Sequence, residues 1–224
     1  MYRPTSISPS TFFESFTKKS YWSFCARSLR TEKKLLEAAT NLFASRGFEG
    51  TSIRDIARDM GMSISNIYYY FGSKESLLSA ILNNNHERLM VALSNVLQQE
   101  KEPATRFKRL LRLHLQLAGE HPRETKIFSV NEDHLTPEGR KLNWQIQREM
   151  LGIYFKELKT LRKMGMVQCK SPTVTALNVL SVINWFPRWY RSDGKMSLKE
   201  VIDEIVDFVM HGILGDEVRK HKGH

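Results

Sequence analysis

Helical periodicity is the feature that most constrains how this sequence can fold. From residue 31 onward apolar residues recur at every third or fourth position, and no segment alternates apolar and polar residues for long. Prolines stand where helices should begin, at Pro103, Pro122, Pro137 and Pro172, as their preference for the first helical turn predicts. We therefore predict an all-α fold. Its long helices are expected at residues 74–99, 103–119, 123–132, 137–164, 172–190 and 197–213.

Composition predicts a soluble cytoplasmic protein with an anionic partner. The 224 residues carry a net charge of +10, yet Lys and Arg outnumber Asp and Glu in both parts, by 11 to 7 in residues 1–79 and 23 to 17 in residues 80–224. Charge alone therefore does not locate the binding surface. No apolar run approaches the ~20 residues that span a bilayer, so no membrane partner is expected. Cys25 and Cys169 are too few for a disulfide framework or a Cys-rich zinc site, and no metal or cofactor is expected.

Short helices separated by glycines are predicted after the first thirty residues. Thr31 can cap a helix that Gly47 ends. Either Thr51 or Ser52 can cap a second helix, which runs to Met60. This spacing places two helices directly before a short third helix.

A tight turn is predicted between the second helix and a third helix over residues 63–70. Gly61 supplies the left-handed backbone that such a turn needs, and Ser63 caps the third helix. Ile67 and Tyr70 are expected to bury its inner side. The outward face is short, polar and aromatic, and such a surface can enter the major groove of DNA. It consists of Ile64, Ser65, Asn66, Tyr68 and Tyr69.

Residues 31–82 contain landmarks that are more specific than a helix-turn-helix pattern alone. They are Gly47-Phe48, Asp55-Ile56-Ala57, Gly61-Met62-Ser63, Tyr68-Tyr69-Tyr70-Phe71 and Ser73-Lys74-Glu75. With them the segment resembles the N-terminal domain of the TetR family of bacterial repressors. The sequence departs from that pattern at Tyr69, where many members carry His, and at Gly72, where a polar residue is usual. Neither departure threatens the fold.

The resemblance implies which residues meet DNA. Thr51 is expected to offer its hydroxyl and a helix N-terminus to a phosphate, and Lys74 to clamp another phosphate. Asn66 suits an adenine edge and Ile64 a thymine methyl group. An aromatic core plug is the alternative role for Tyr68 to Tyr70, and we adopt it for Tyr70 and for the neighbouring Phe71. The expected DNA-binding residues are Thr51, Ser52, Ser63, Ile64, Ser65, Asn66, Tyr68, Tyr69 and Lys74.

The C-terminal half carries a second resemblance. The run from Asn184-Trp185 through Trp189-Tyr190-Arg191 to Gly194 and Ser197 is similar to a TetR branch that responds to acyl-CoA thioesters. Such a ligand needs an apolar tunnel and cations for its phosphates. The alternative is that Trp185 and Phe186 belong to a dimer core. The expected ligand-binding residues are Phe128, Trp144, Arg148, Trp185 and Phe186.

Four segments are predicted along the chain. They are a flexible N-terminal extension (1–29), a helix-turn-helix domain (30–78), a ligand-binding and dimerisation domain (79–217) and a disordered basic tail (218–224). Apolar faces on the last two long helices predict a two-fold symmetric homodimer, which would present two reading helices to a palindromic double-stranded DNA operator. The predicted function is a sequence-specific transcriptional repressor released by a small-molecule effector, with an acyl-CoA thioester as first candidate.

Two other functions stay open. A ligand-independent DNA-binding activator or architectural protein would have a sensor domain without a cavity. A repressor for a hydrophobic or cationic drug-like effector could use Glu149 or Glu157. An enzyme is not predicted, because the histidines show no metal-ligand spacing and there is no phosphate-binding glycine loop or nucleophile elbow. His114 is instead expected at a helix surface or pocket rim.

Overall fold

The structure, a computed structural model, describes residues 18–124, 127 and 132–213. These residues form helices joined by short connections and contain no β-strand, which confirms the all-α prediction. Most of the predicted N-terminal extension, the predicted basic tail and Phe128 lie outside the described residues.

Three helices form the N-terminal domain: α1 (Lys18–Arg46), α2 (Ile53–Met60) and α3 (Ile64–Phe71). The prediction that the first helix starts at Thr31 was wrong, because α1 begins thirteen residues earlier. Residues 18–30 contain neither proline nor glycine, so nothing in this stretch interrupts a helix. The predicted α2 and α3 are confirmed, and the cap of α2 is Ser52 rather than Thr51.

Five longer helices follow: α4 (Lys74–Gln99), α5 (Pro103–Glu120), α6 (Pro137–Lys163), α7 (Pro172–Trp189) and α8 (Leu198–Ile213). Each lies within one residue of its predicted bounds, and α5, α6 and α7 have proline in their first turn. The N–H groups of the first helical turn have no partner within the helix. Proline, which lacks an N–H, can therefore occupy this turn without losing a hydrogen bond. Part of the predicted helix at 123–132 falls outside the described residues.

Helix α4 contributes to hydrophobic clusters in both domains. The N-terminal core takes Leu77 and Leu78 from the start of α4, and a cluster in the C-terminal domain takes Leu93 from its second half. Ile127 and Leu135, from the connection between α5 and α6, also pack into the N-terminal core. The helices that follow α4 therefore contact the N-terminal domain through this connection as well as through α4 itself.

The described part of the chain has no helix that is both long and apolar enough to cross a bilayer. Nor do its His, Cys, Asp and Glu side chains form a group of three or more that could hold a metal ion.

Candidate nucleic-acid interface and ligand cavity

The turn between α2 and α3 fixes the position of the short helix. Gly61 adopts the left-handed conformation (φ 61°), and the Met62 N–H donates to the Ala57 carbonyl over 2.9 Å. The Ser63 hydroxyl accepts the Asn66 N–H over 3.2 Å and so caps α3. The turn starts from Ala57, which is itself buried. Helix α3 is therefore held against the core by this turn, by its Ser63 cap and by its buried inner side.

The outward face of α3 is open to solvent. Tyr69 is 80% exposed, whereas Ile67 on the inner side is 1% exposed. Tyr70 and Phe71 pack partly against the N-terminal core, as expected. The predicted exposure of the remaining α3 side chains is confirmed, while their contact with DNA stays a prediction. The exposed set comprises Ser63, Ile64, Ser65, Asn66, Tyr68 and Tyr69.

The Thr51 side chain does not face outward. The prediction that its hydroxyl contacts a phosphate was therefore wrong. The side chain is 1% exposed. Its hydroxyl lies 2.9 Å from the Gly47 carbonyl and 3.3 Å from that of Leu42, and its N–H donates to the Phe48 carbonyl. These carbonyls belong to the end of α1 and its turn, where helix geometry leaves acceptors without intrahelical partners. Thr51 therefore ties the end of α1 to the start of α2.

Ser52 is exposed and forms a capping box at the start of α2. Its hydroxyl lies 3.2 Å from the Asp55 N–H, and its own N–H donates to the Asp55 carboxylate over 3.0 Å. The hydrogen bond from the Ser52 hydroxyl lowers the pKa of Asp55 below its ordinary value. A phosphate contact from Ser52 stays a prediction, and it would require these bonds to open.

Lys74 is the first residue of α4 and sits beside an aromatic stack. Its Nζ lies 4.0 Å from the centre of the Phe48 ring, and the same ring stacks on His134 with 4.8 Å between centroids. Ser73 caps α4 by accepting the Ser76 N–H. Lys74 is thus placed at a capped helix start next to the α2–α3 unit, and its phosphate contact stays a prediction.

A cavity of about 640 Å³ lies between α4, α5, α6 and α7, and its wall is mainly apolar. This volume falls within the usual range of small-molecule sites. Helix α4 contributes Asn85, His86 and Leu89; α5 contributes His114, Leu117 and Ala118; α6 contributes Trp144, Ile146, Gln147, Arg148, Met150 and Leu151; and α7 contributes Leu177, Leu180, Ser181, Ile183 and Asn184.

Two of the expected ligand-binding residues, Trp144 and Arg148, line this cavity together. The Arg148 guanidinium lies 5.3 Å from the centre of the largely exposed Trp144 ring. Trp185 and Phe186 do not line the cavity, so the prediction was wrong for both. Trp185 lies one helical turn beyond the cavity residue Ser181 but is 58% exposed beside Arg188, and Phe186 is 0% exposed in the C-terminal core.

Two histidines in the cavity wall bring polar atoms into an apolar setting. The His114 Nδ1 lies 3.0 Å from the Tyr154 hydroxyl, and burial lowers the pKa of His114 to about 4. Burial also raises the pKa of Tyr154, so both groups are neutral at pH 7. His86 on α4 lies 2.9 Å from the Glu149 carboxylate on α6. His114 is therefore buried in the cavity wall rather than at a helix surface.

Sequence reasoning missed most of the polar cavity residues. His86, Gln147, Ser181 and Asn184 each stand three or four positions from an apolar cavity residue on the same helix. A polar residue that interrupts an otherwise apolar helical stripe was the available signal. Such an interruption marks a polar cavity only once it is known which helices lie opposite it.

Comparison with known proteins gives matches over both domains. Residues 35–81 match the family described as bacterial regulatory proteins, tetR family, and residues 100–213 match the tetracyclin repressor-like C-terminal domain. The transcriptional repressor KstR2 of Rhodococcus jostii is 25% identical over 190 residues, which cover 82% of this chain and 90% of KstR2. The transcriptional regulator RutR of Escherichia coli is 32% identical over 106 residues, which cover 47% of this chain and only half of RutR.

Solved structures share the architecture. The crystal structure of AibR in complex with isovaleryl coenzyme A and operator DNA superposes with a TM-score of 0.74 and 26% identity, covering 80% of this chain and 97% of AibR. The helix-turn-helix unit formed by α2 and α3, the helical C-terminal domain and the family matches agree, and the chain belongs to the TetR family of transcriptional regulators.

Proposed function

We propose that this chain is a cytoplasmic repressor that binds a palindromic operator as a homodimer and leaves it when a small molecule occupies the α4–α7 cavity. The observation that carries the proposal is the outward face of α3, where Ser65, Asn66 and Tyr69 are exposed on a helix anchored by Ile67. Short polar side chains on such a helix can reach base edges in the major groove. Ile64, Tyr68 and Lys74 complete the proposed contact surface.

An acyl-CoA thioester is the effector that the cavity supports best. Its wall can take an apolar acyl chain, and Arg148 beside the exposed Trp144 ring offers a cation and a stacking surface for the nucleotide part. The AibR complex with isovaleryl coenzyme A supports this ligand class. A ligand-independent regulator is less well supported, since the sensor domain has a cavity.

A cationic effector is also less well supported, because the acidic candidates already have cationic or imidazole partners. Glu149 lies 2.9 Å from His86, and Glu157 lies 2.8 Å from the Arg106 guanidinium. A cationic ligand would have to displace one of these partners, and at Glu157, where both side chains of the pair are largely buried, removing one member is costly.

Helix α4 provides the route from the cavity to DNA. Its start carries Lys74, and its middle contributes His86 and Leu89 to the cavity wall. An effector that binds one arrangement of α4 and α6 more tightly than another would shift the spacing of the two reading helices. The operator affinity then falls by the same factor by which DNA weakens effector binding.

A release experiment tests this function. The purified protein would be bound to DNA from its own promoter region and titrated with CoA thioesters of increasing acyl length and with the matching free acids. We expect release by thioesters, and weaker release from the Arg148→Ala variant than from the control Lys156→Ala, an exposed residue elsewhere on α6. Failure of the protein to bind any promoter fragment would refute the repressor function, and release by no thioester would refute this effector class.

A further inference from the structure

The His114 ring stands between the effector cavity and a buried tyrosine hydroxyl. His114 lines the cavity, whereas Tyr154 does not line it and is 0% exposed. The His114 Nδ1 lies 3.0 Å from the Tyr154 hydroxyl, and the two ring planes are 25° apart. Because the two nitrogens of an imidazole point in widely different directions, the second nitrogen, Nε2, takes no part in this contact.

The Nε2 atom of His114 is open to the cavity. Among the described residues it has no hydrogen-bond partner. The polar side-chain atoms that are both enclosed and unpartnered in this part of the chain are the His86 Nδ1 and the Asn143 Oδ1, so the His114 Nε2 is not enclosed. The His114 side chain is nevertheless buried, and the open space that it borders is the cavity. A molecule in the cavity can therefore reach this nitrogen.

The Tyr154 hydroxyl determines which nitrogen of His114 carries the hydrogen. A buried O–H group without an acceptor is costly, and the acceptor that the described residues offer Tyr154 is the His114 Nδ1. Tyr154 therefore donates to Nδ1. Burial lowers the pKa of His114 to about 4, so the ring is neutral at pH 7 and carries a single hydrogen. That hydrogen is on Nε2, which presents an N–H donor to the cavity.

The surroundings of this donor favour an uncharged oxygen as its partner. Tyr154 lies six residues beyond Arg148, so the donor is roughly 9 Å further along α6 at 1.5 Å per residue. The cavity residues of α6 beyond Arg148 are Met150 and Leu151, both apolar. Burial is the cause of the low pKa of His114, with no contribution from a charged neighbour. A carboxylate there would be buried without a cation, which is costly, whereas a carbonyl or hydroxyl oxygen needs only the N–H.

We propose that the His114 N–H selects effectors that carry an uncharged oxygen acceptor, and that Tyr154 is the positioning residue that directs this donor into the cavity. The inference rests on the effector cavity of the proposed function and deepens it. A ligand with a methylene group at the matching position leaves the N–H without a partner and binds more weakly. The oxygen belongs either to the thioester carbonyl or to a keto or hydroxyl group on the acyl chain.

Matched ligands separate these two sources by isothermal titration calorimetry. Decanoyl-CoA is compared with S-decyl-CoA, a thioether that lacks the carbonyl, and with oxodecanoyl-CoA thioesters that carry one keto group at successive chain positions. The wild type should bind the member with the additional oxygen about 10-fold more tightly in at least one comparison, the effect of giving one buried N–H its partner. Equal affinities in every comparison would overturn the proposal.

Variants assign the preference to the histidine ring. His114→Phe keeps an aromatic ring but removes the N–H, and it should abolish the preference. Because this change leaves the Tyr154 hydroxyl unpaired, the double variant with Tyr154→Phe makes both partners apolar and serves if the single variant is unstable. Leu115→Met changes a core residue of α5 outside the cavity at nearly constant volume and should keep the wild-type preference. A preference that survives in His114→Phe or in the folded double variant would overturn the proposal.

The tautomer of His114 has a spectroscopic readout of its own. In ¹⁵N NMR spectra of histidine-labelled protein, the His114 signals are assigned by their loss in His114→Phe. They should show a hydrogen on Nε2 and none on Nδ1, and the Nδ1 signal should shift in Tyr154→Phe because its hydrogen bond is lost. A hydrogen on Nδ1 in the wild type would make Nε2 an acceptor, which excludes the proposed selection.

Operator binding and release are measured separately on the wild type by gel shift. If no promoter fragment is bound but the preference depends on His114, the repressor function fails and the selection stands. If thioesters release the operator without any such preference, the repressor stands and the selection fails. If no thioester binds, the proposed effector class fails. Acetophenone is then compared with its carbonyl-free isostere α-methylstyrene, and the lack of a His114-dependent preference there would refute the selection as well.

Discussion

Lys74 and Phe48 form a cation–π contact at the junction of the two domains, with the Lys74 Nζ 4.0 Å from the centre of the Phe48 ring. The same ring stacks on His134, which lies just before α6, and α6 forms part of the cavity wall. The cation expected to hold a phosphate is therefore linked through one aromatic ring to the sensor domain. A movement of the α5–α6 connection would alter the position of this cation.

The first prediction concerns Lys74 as a phosphate contact. Lys74→Ala should weaken binding to operator and unrelated DNA alike and reduce the slope of log affinity against log salt concentration by about 0.9, because one counterion release is lost. Lys101→Ala is the control, since this exposed lysine follows the opposite end of α4, roughly 39 Å away at 1.5 Å per residue. Fluorescence anisotropy at several salt concentrations gives both slopes. Equal slopes in the two variants would exclude Lys74 from the interface.

The second prediction concerns base recognition by α3. Asn66→Ala should lose about 1–3 kcal/mol of discrimination at one base pair in each half-site, because an exposed carboxamide can pair with an adenine edge. The salt slope should stay that of the wild type, in contrast to Lys74→Ala. Binding to a set of operators with single base changes measures the loss. A uniform loss over all of these operators would show that Asn66 contacts the backbone or supports the fold.

The third prediction separates stability from DNA binding at Thr51. Thr51→Val keeps the side-chain shape but removes the buried hydroxyl that bonds to the end of α1, so the free energy of unfolding should fall by about 1–3 kcal/mol. Operator affinity of the folded variant should equal that of the wild type. Chemical denaturation and gel shift measure the two quantities. Wild-type stability combined with lost affinity would restore the phosphate role that this structure argues against.

The contrast between Thr51 and Tyr69 shows how far the sequence could predict the site. Period and capping patterns predicted the helices and the exposed side of α3, because both depend on neighbours within one turn. The direction of the Thr51 hydroxyl depends on carbonyls at the end of another helix, which no local pattern reveals. The same limit applies to Phe186, an aromatic residue whose position around the axis of α7 places it in the core instead of the cavity.

The fourth prediction uses the buried His114. Burial lowers its pKa from 6.5 to about 4 in the folded protein, so between these values the unfolded chain binds a proton that the folded chain does not. The free energy of unfolding should therefore fall with decreasing pH below about 6.5, with a contribution of roughly 1.4 kcal/mol per pH unit from this group.

The His114→Gln variant isolates this contribution. Glutamine keeps a polar group near the Tyr154 hydroxyl but does not titrate, so its stability should depend on pH with a slope that is smaller by about one proton between pH 4.5 and 6. All other side chains are common to both proteins, so their contributions cancel in the difference. Denaturation curves at each pH provide the slopes. Parallel slopes in the two proteins would mean that His114 is protonated inside the fold.

The last prediction concerns a close contact between the start of α6 and α4. A Cβ atom at Gly139 would overlap the Ser79 Oγ, so Gly139→Ala should displace the Ser79 side chain or helix α4 and lower the free energy of unfolding by about 1 kcal/mol. Ser79→Ala removes the opposing oxygen and should be nearly neutral alone, because that hydroxyl bonds only to the Glu75 carbonyl of its own helix. The double variant should then recover most of the stability that Gly139→Ala loses, which a double-mutant cycle measures as coupling. Additive losses would show that the two helices do not meet at this point, and that the contact between the start of α6 and the DNA-proximal part of α4 must be sought elsewhere.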